Sequence, residues 1–445
     1  MQERSSAKSA DRVDALNWRA PTLRIRFGAP LLSLALFTLL VAVFAASPVT
    51  TPTDSRWAVH TAMSIAKGHG GDLSEYLALI EKHNNDNIEY PDGRPRNIYP
   101  IGPSLLAVPA VVVSAWLRPE WAEGLRYDMP VQTEQFIASL VGAAAGVVFY
   151  WVILSQFQSQ AIALASTAIF SFGTSMWSTA TRALWQHGPL VLMLVIAMLL
   201  LVRARQRPQL VQYLGLPVAM AYLMRPTAIV AILVFSTYVL FLHRPWFVRY
   251  LCWAMLVAVP WLGFNLRIYH HLVPAYYHNN AFSGQARFVS GLLGNLFSPS
   301  RGLFVFSPVL LFALSGFVLA LRDRELRPLT LAYGAIIAGN LIIIGEAWMW
   351  WGGHSYGPRF MTDVVPFLVY FTAFNFRLPE TFRHRTQVTV STVIAVLALA
   401  SAAIHAQGAL RRATWQWNAS PINIDEAPTR AWDWRDPQFA RTEPK

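Results

Sequence analysis

Apolar runs and polar connectors alternate along the 445 residues of this chain. Eleven runs stand out, at 29–47, 135–154, 160–173, 188–202, 209–222, 227–242, 250–265, 303–321, 328–345, 361–376 and 387–407. A helix needs about 17–25 apolar residues to cross the hydrocarbon core, so the shorter runs must extend into flanking Trp, Tyr and Ser or pair as short helices. The pattern predicts an all-α polytopic membrane protein with about eleven transmembrane helices.

One further apolar run, Pro103 to Leu117, is short and holds Pro103 and Pro109. Counting it as a span would reverse every later connector. It is therefore read as an interfacial or re-entrant helix, which leaves 48–134 as one long first loop. The resulting organisation is a tail (1–28), a transmembrane domain (29–407) and a C-terminal tail (408–445).

Arginine sets the orientation. With residues 1–28 in the cytoplasm, the connectors on that side carry Arg203, Arg205 and Arg207, then Arg244 and Arg249, then Arg322, Arg324 and Arg327, then Arg377, Arg383 and Arg385. The short loops opposite carry Arg182, Arg225 and Arg359, one each. This is the asymmetry that the positive-inside rule reads. It predicts a plasma (inner) membrane protein with a cytoplasmic N-terminus and an extracytoplasmic C-terminus. The stretch Phe44 to Ser47 resembles a signal-peptide cleavage site, but the polar leader is long and a multi-span protein needs no cleavage, so the run is read as the first span.

Composition changes the picture little. Hydrophobic residues make up 54% and charged residues 13%, so water is not the solvent for most of the surface. The net charge of +12 follows from the arginine-rich connectors and argues topology rather than a nucleic-acid partner. Cys252, the single cysteine, excludes an intramolecular disulfide and a cysteine metal site.

The residues with chemical potential lie in the loops opposite the arginine-rich side. Thr53-Asp54-Ser55-Arg56-Trp57 follows the first span and precedes an amphipathic run, His60 to Gly68, expected along the membrane surface. Asp54 can take a proton from a sugar hydroxyl as a general base, or Asp54 or Ser55 can simply cap the helix that follows. Tyr99-Pro100-Ile101-Gly102-Pro103 is either a rigid wall of a phosphate pocket beside Arg94 and Arg96 or an ordinary turn. In Trp177 to His187, Arg182 and His187 flank aromatics, and a lone histidine is often a packing residue. Met224-Arg225-Pro226-Thr227 says more, because an arginine between spans is costly unless it faces water or an anion.

Asn265 to Leu303 holds Arg267, the adjacent pair His270 and His271, Arg287, and the turn Ser298-Pro299-Ser300-Arg301-Gly302. Adjacent histidines do not share a helical face, which argues against a metal there. The turn offers hydroxyls, N–H groups and a guanidinium suited to phosphate. The densest segment runs from Glu346 through Trp348, Trp350, Trp351, Gly352, Gly353, His354, Tyr356, Gly357 and Pro358 to Arg359. Its tryptophans present flat faces for sugars, its glycines admit close backbone approach, and Arg359 can fork onto phosphate.

An early loop aspartate before an Ala-x-Ser-Ile-Ala-x-Gly run, the Tyr-Pro-x-Gly start of a juxtamembrane helix, the Met-Arg-Pro-Thr turn and the Gly-Pro-Arg-Phe turn occur in one order on one side. In these features residues 29–376 resemble the GT-C superfamily of membrane glycosyltransferases, nearest the bacterial relatives of dolichyl-phosphate-mannose protein mannosyltransferases (glycosyltransferase family 39-like). The resemblance implies a polyprenyl-phosphate-linked sugar donor, transfer to an acceptor glycan, lipid or protein on the extracytoplasmic face, and inversion at the anomeric carbon. It matches Asp54 to the loop base, and Arg225 and Arg359 to positions that hold the lipid phosphate, with Arg301 and Arg267 as further phosphate candidates. Arg56, Tyr99, Arg182, His187, Glu346, Trp351, His354 and Tyr356 are expected around the substrates. Many relatives carry two adjacent acids where this chain has Asp54-Ser55, which weakens a metal site built on paired acids; a divalent metal stays open, with no ligand cluster marking one.

Two other classes compete. A secondary transporter or flippase usually places ionisable residues near the midplane and repeats its halves, whereas here Asp363 is the one acid inside the runs and no repeat is visible. A non-catalytic subunit of an envelope glycan assembly system is the other, favoured by the Asp54-Ser55 departure.

Overall fold

The computed structural model describes residues 29–278, 288–378 and 382–442, so the 1–28 tail and Arg287 lie outside the described residues. Helices α1 (Ala29–Ala46), α2 (Ala58–Ala66), α3 (Leu77–Lys82), α4 (Gly102–Leu117), α5 (Pro119–Gly124), α6 (Val131–Phe157), α7 (Gln160–Phe172) and α8 (His187–Ala204) make up the first half. The second holds α9 (Gly215–Met224), α10 (Ile229–Leu242), α11 (Phe247–Tyr269), α12 (Phe288–Phe297), α13 (Leu303–Phe306), α14 (Phe312–Arg322), α15 (Arg327–Gly345), α16 (Val365–Ala373), α17 (His384–Leu410) and α18 (Arg412–Gln416). Among the described residues the sole sheet is a hairpin of β1 (Ile88–Glu89) and β2 (Arg96–Asn97), antiparallel with Ile88 opposite Asn97.

Among the described residues five helices are long and apolar enough to cross a membrane: α6, α8, α11 with its preceding turn from Arg244, α15 and α17. The runs at 209–222, 303–321 and 361–376 are broken instead. Each combines a short α-helix with a 3₁₀ segment: Pro208–Leu214 before α9, Pro308–Leu311 before α14, and Arg359–Val364 before α16. Proline starts or closely precedes each break, because it lacks the N–H that would continue the ladder. Broken helices of this kind are stable at membrane depth only where protein covers them, and α16 is buried along its whole length.

The core forms around α6 and α8. α6 packs against α1, α7 and α8, α8 against α9, and α9 against α11, while α14 meets α15 and α16. The small-residue run Gly142-Ala143-Ala144-Ala145-Gly146 on α6 lets α1 approach closely, as Leu40 and Phe44 do against Ala143. The outward residues are apolar, with Leu34, Leu233, Leu256, Leu314 and Leu399 all more than half exposed, as a lipid-facing surface requires.

The first loop folds into a cap. The run expected to lie along the membrane surface is covered: in α2, Ala58 through Ser64 are buried, packed beneath α4 and the hairpin. α4 leaves Val112, Val113, Trp116 and Leu117 exposed. Its first residue, Gly102, lies against the end of α9, where an added Cβ would come within 2.4 Å of the Leu223 carbonyl. Only glycine permits that approach. The C-terminal tail packs back on the loop after α15, where Trp417, Ile424 and Ala431 cluster with Trp350 and Trp351.

Candidate active site

Chain geometry brings three arginine- or acid-bearing turns together at the end of the bundle where α1 finishes and α6 and α8 begin. α9 stops at Met224 because Pro226 forces the preceding residue out of the helical region; Arg225 is extended at φ −160° and ψ 135°. Its side chain is thereby turned into the protein. Gly357-Pro358 ends the loop after α15, and Arg359 opens the 3₁₀ segment that carries Asp363. The third turn, Thr53 to Trp57, presents Asp54.

Asp54 Oδ2 accepts from Arg359 Nη2. The same guanidinium lies over the Trp185 ring, 4.0 Å from its centre, and donates from Nη1 to the Gly352 carbonyl at 3.3 Å. Gly352 and Gly353 have φ of +72° and +61°, the left-handed turn that brings that carbonyl to Arg359.

Behind Arg359, His187 at the start of α8 is buried between both arginines and Asp363. Its Nδ1 lies 2.7 Å from Asp363 Oδ1, and a carboxylate only accepts, so Nδ1 carries the proton. Nε2 is left as the acceptor for Arg225 Nη1 at 2.6 Å and Arg359 Nε at 3.4 Å. Asp363 Oδ2 also takes Arg225 Nε at 3.4 Å and Thr227 Oγ1 at 3.3 Å. Two guanidinium groups are thus balanced by two carboxylates through one neutral imidazole, which is how buried charge is tolerated.

A cleft of about 300 Å³ opens beside this network, lined by Asp54, Ser55, Tyr99, Trp185, Gln186 and Arg359 among others. Burial, and then the Asp54 carboxylate beside it, push the Tyr99 phenol above its ordinary value, so it remains a donor. Tyr276 stands edge-on to Tyr99 with ring centres 5.4 Å apart and accepts from Gln186 Nε2 at 2.9 Å. Ser55 donates to the buried carboxyl of Glu134, which also accepts the Leu184 N–H at 2.9 Å. The residue that departs from the paired-acid pattern therefore fastens the Asp54 turn to the loop that carries Trp185. Neither Asp54 nor Ser55 caps α2: the residue at that position is Trp57, without a side-chain cap.

Of the residues picked from the sequence, Asp54, Tyr99, His187, Arg225 and Arg359 come together here. Arg182 is fully buried elsewhere, donating to the Phe44 carbonyl at 2.6 Å and the Ser47 carbonyl at 2.9 Å, acceptors left open at the end of α1. Arg301 is enclosed by the Trp351 carbonyl (2.5 Å), Gln438 Oε1 (2.6 Å) and Asn418 Oδ1 (2.7 Å), and burial lowers its pKa to about 9. It joins the turn after α12 to the C-terminal tail rather than reaching the cleft. Trp351 Nε1 donates to Asp425 at 2.8 Å, His354 Nε2 pairs with Asn423 at 2.8 Å and the Tyr356 hydroxyl donates to the Ile404 carbonyl at 2.6 Å, all away from Asp54. Arg56 pairs with Asp86 at 2.8 Å, Arg267 is exposed near the end of α11, and Glu346 is part-exposed at the end of α15. Among the described residues no three His, Cys, Asp or Glu side chains are gathered as a metal ion would need.

Sequence reading passed over Asp363, Thr227, Trp185 and Glu134. Asp363 had a signal, being the one acid within the apolar runs and four residues past Arg359.

The helix arrangement is shared with solved structures. The chain superposes on ArnT from Cupriavidus metallidurans bound to undecaprenyl phosphate with a TM-score of 0.55 and 15% identity, over 91% of this chain and 68% of that one. The apo state of the same protein gives a TM-score of 0.56 and 14% identity over the same shares. The chain has the GT-C fold. No family model and no curated protein matches it by sequence, so the GT-C fold is recognised here by helix arrangement. In this GT-C bundle the cap over 48–130 and the turns at Arg225 and Arg359 meet at one end of the helices.

Proposed function

We propose that the protein is an inverting glycosyltransferase that moves a sugar from a polyprenyl-phosphate donor to an acceptor on the extracytoplasmic face of the membrane. The observation that carries this reading is the placement of Asp54, Arg359, His187, Arg225 and Asp363 in one network at the edge of a cleft. The likeness to a protein crystallised with undecaprenyl phosphate supports the donor class. The orientation rests on the arginine asymmetry of the connectors.

In this reading the donor phosphate binds Arg359 and Arg225. Asp54 takes the proton of the acceptor hydroxyl as its oxygen attacks the anomeric carbon, the bond from that carbon to the phosphate oxygen breaks, and its electron pair stays on the phosphate. The guanidinium groups, held in place by His187 and Asp363 beforehand, stabilise the charge that grows there. A single displacement inverts the carbon. Because Arg359 now holds Asp54, the incoming phosphate competes for that guanidinium and frees the base, which makes the donor the first substrate to bind.

The test is transfer in membrane vesicles from radiolabelled polyprenyl-phosphate sugars, with initial rates measured against both substrates. Transfer with inverted product and donor-first kinetics is expected. Absence of both transfer and donor hydrolysis across pentose and hexose donors, in vesicles that retain folded protein, sinks the assignment.

A further inference from the structure

The C-terminal tail returns to the loop that carries Arg359, and one of its side chains is enclosed there. Gln438 is fully buried. Its Oε1 accepts the Gly357 N–H at 3.0 Å and Arg301 Nη1 at 2.6 Å, and its Nε2 donates to the carbonyls of Ser355 at 2.8 Å and Thr414 at 3.0 Å. The Gln438 backbone N–H donates to Ser300 Oγ at 3.3 Å. Two donors and two lone pairs are all that a side-chain amide has, so Gln438 is used to capacity, by segments far apart in the chain.

Both groups on Oε1 lead to the candidate site. Gly357, at φ +61°, is followed by Pro358, whose ring fixes its own φ, and then by Arg359, so holding the Gly357 N–H sets where the Arg359 backbone begins. Arg301 donates from Nη2 to the Gly353 carbonyl at 3.2 Å and from Nε to the Trp351 carbonyl at 2.5 Å, on either side of Gly352. The Gly352 carbonyl is the one that accepts from Arg359 Nη1. Gln438 thus fixes the root of Arg359 directly, and one acceptor of its guanidinium through Arg301. The next residue, Phe439, stands edge-on to Phe306 with ring centres 5.6 Å apart, and Phe306 stands edge-on to Tyr356 at 5.2 Å.

Apolar contact alone would keep the tail in place, because Trp417, Ile424 and Ala431 already pack on Trp350 and Trp351. Such packing does not dictate a single orientation. A buried polar network with every member satisfied does. A guanidinium that must meet a phosphate to within about 0.5 Å needs support of that second kind.

We propose that Gln438 is a positioning residue for the donor site: from the far end of the chain it fixes the Gly357-Pro358-Arg359 turn, so that the Arg359 guanidinium is preset for a lipid phosphate. The identity of that ligand rests on the glycosyltransferase reading.

The test compares the full chain in lipid nanodiscs with Gln438→Met, which fills similar space without the hydrogen bonds, by hydrogen exchange and by binding of undecaprenyl phosphate. Amides within 352–359 should exchange about tenfold faster in the variant, while those of α6 and α8 keep the wild-type rate. Affinity for undecaprenyl phosphate should fall about tenfold, the lower end for losing a hydrogen bond to a charged group. In an Arg359→Ala background, where Arg225 still holds the phosphate, adding Gln438→Met should weaken binding no further, a non-additivity that a merely stabilising tail does not produce. Gln438→Ala, which leaves room for water, replaces the methionine variant if that chain does not accumulate, with the same expectations. Equal exchange at 352–359, faster exchange there with wild-type lipid affinity, additive losses, or lost protection throughout α6 and α8 overturns the proposal. Failure of the wild type to bind undecaprenyl phosphate sinks the donor reading instead, and the exchange comparison still decides whether Gln438 holds the turn.

Discussion

Asp54 and Arg359 show what a residue can and cannot declare in sequence. Each stood out because a short motif fixes its backbone: a loop after the first span for Asp54, Gly-Pro for Arg359, and the following proline for Arg225. Arg182 and Arg301 looked equivalent and are not, because carbonyls and amides around them, contributed from distant segments, absorb their donors. Residue type alone does not reveal that. If Asp54 is the base, Asp54→Asn should lower turnover by roughly 10²–10⁴-fold, the range for general acid–base catalysis. Donor KM should not rise, since the change releases Arg359; near-normal turnover eliminates Asp54 and makes Glu346 the next acid to examine. For Arg359, the position over Trp185 and the donors to Asp54, Gly352 and His187 use the planar guanidinium from several sides. Arg359→Lys should therefore raise donor KM nearly as far as Arg359→Ala. Wild-type donor dependence in the lysine variant indicates a charge that only anchors the turn.

At the scale of elements, apolar periodicity located helical segments, five of them long and apolar enough to span a membrane among the described residues, but could not show which would break. The proline at 208, 308 or 358 marks the places in hindsight, yet whether a proline breaks a helix or starts one depends on what covers the freed backbone. The amphipathic run at 60–68 was misplaced for a similar reason: the surface that covers α2 comes from α4 and the hairpin, both later in the chain. That burial has a measurable effect. His60 Nε2 donates to the Leu125 carbonyl at 3.0 Å, and burial lowers its pKa from 6.5 to about 4. The unfolded chain takes up the proton first, so the His60 contribution is complete above about pH 6.5, declines as pH falls toward 4 and is level below it. The interval corresponds to roughly 3 kcal/mol at about 1.4 kcal/mol per pH unit. Thermal unfolding in detergent should lose midpoint across that window in wild type and lose less of it in His60→Gln; parallel curves would place the acid sensitivity elsewhere.

For the whole molecule, arginine asymmetry makes a topological claim that fusions can read. A reporter active only outside the cytoplasm should work after Trp57 or Trp351 and stay silent after Arg205 or Arg385. Silence at Trp351 puts the Asp54 cleft on the other face and with it the entire reading. The network itself has a history during synthesis. Asp54 and Arg359 are 305 residues apart, and His187 and Asp363 are 176 apart. A ribosome therefore delivers Arg225 and His187 to the membrane well before the carboxylate that neutralises them exists, and the growing chain carries an uncompensated cation among apolar helices until its last third emerges. A chain ending at Gly345 should be cleared faster than the complete one in a pulse-chase measurement, and Arg225→Leu should lengthen the life of the shortened chain while doing nothing for the full-length protein; equal lifetimes with and without Arg225 would mean that the nascent chain shelters the charge by other means.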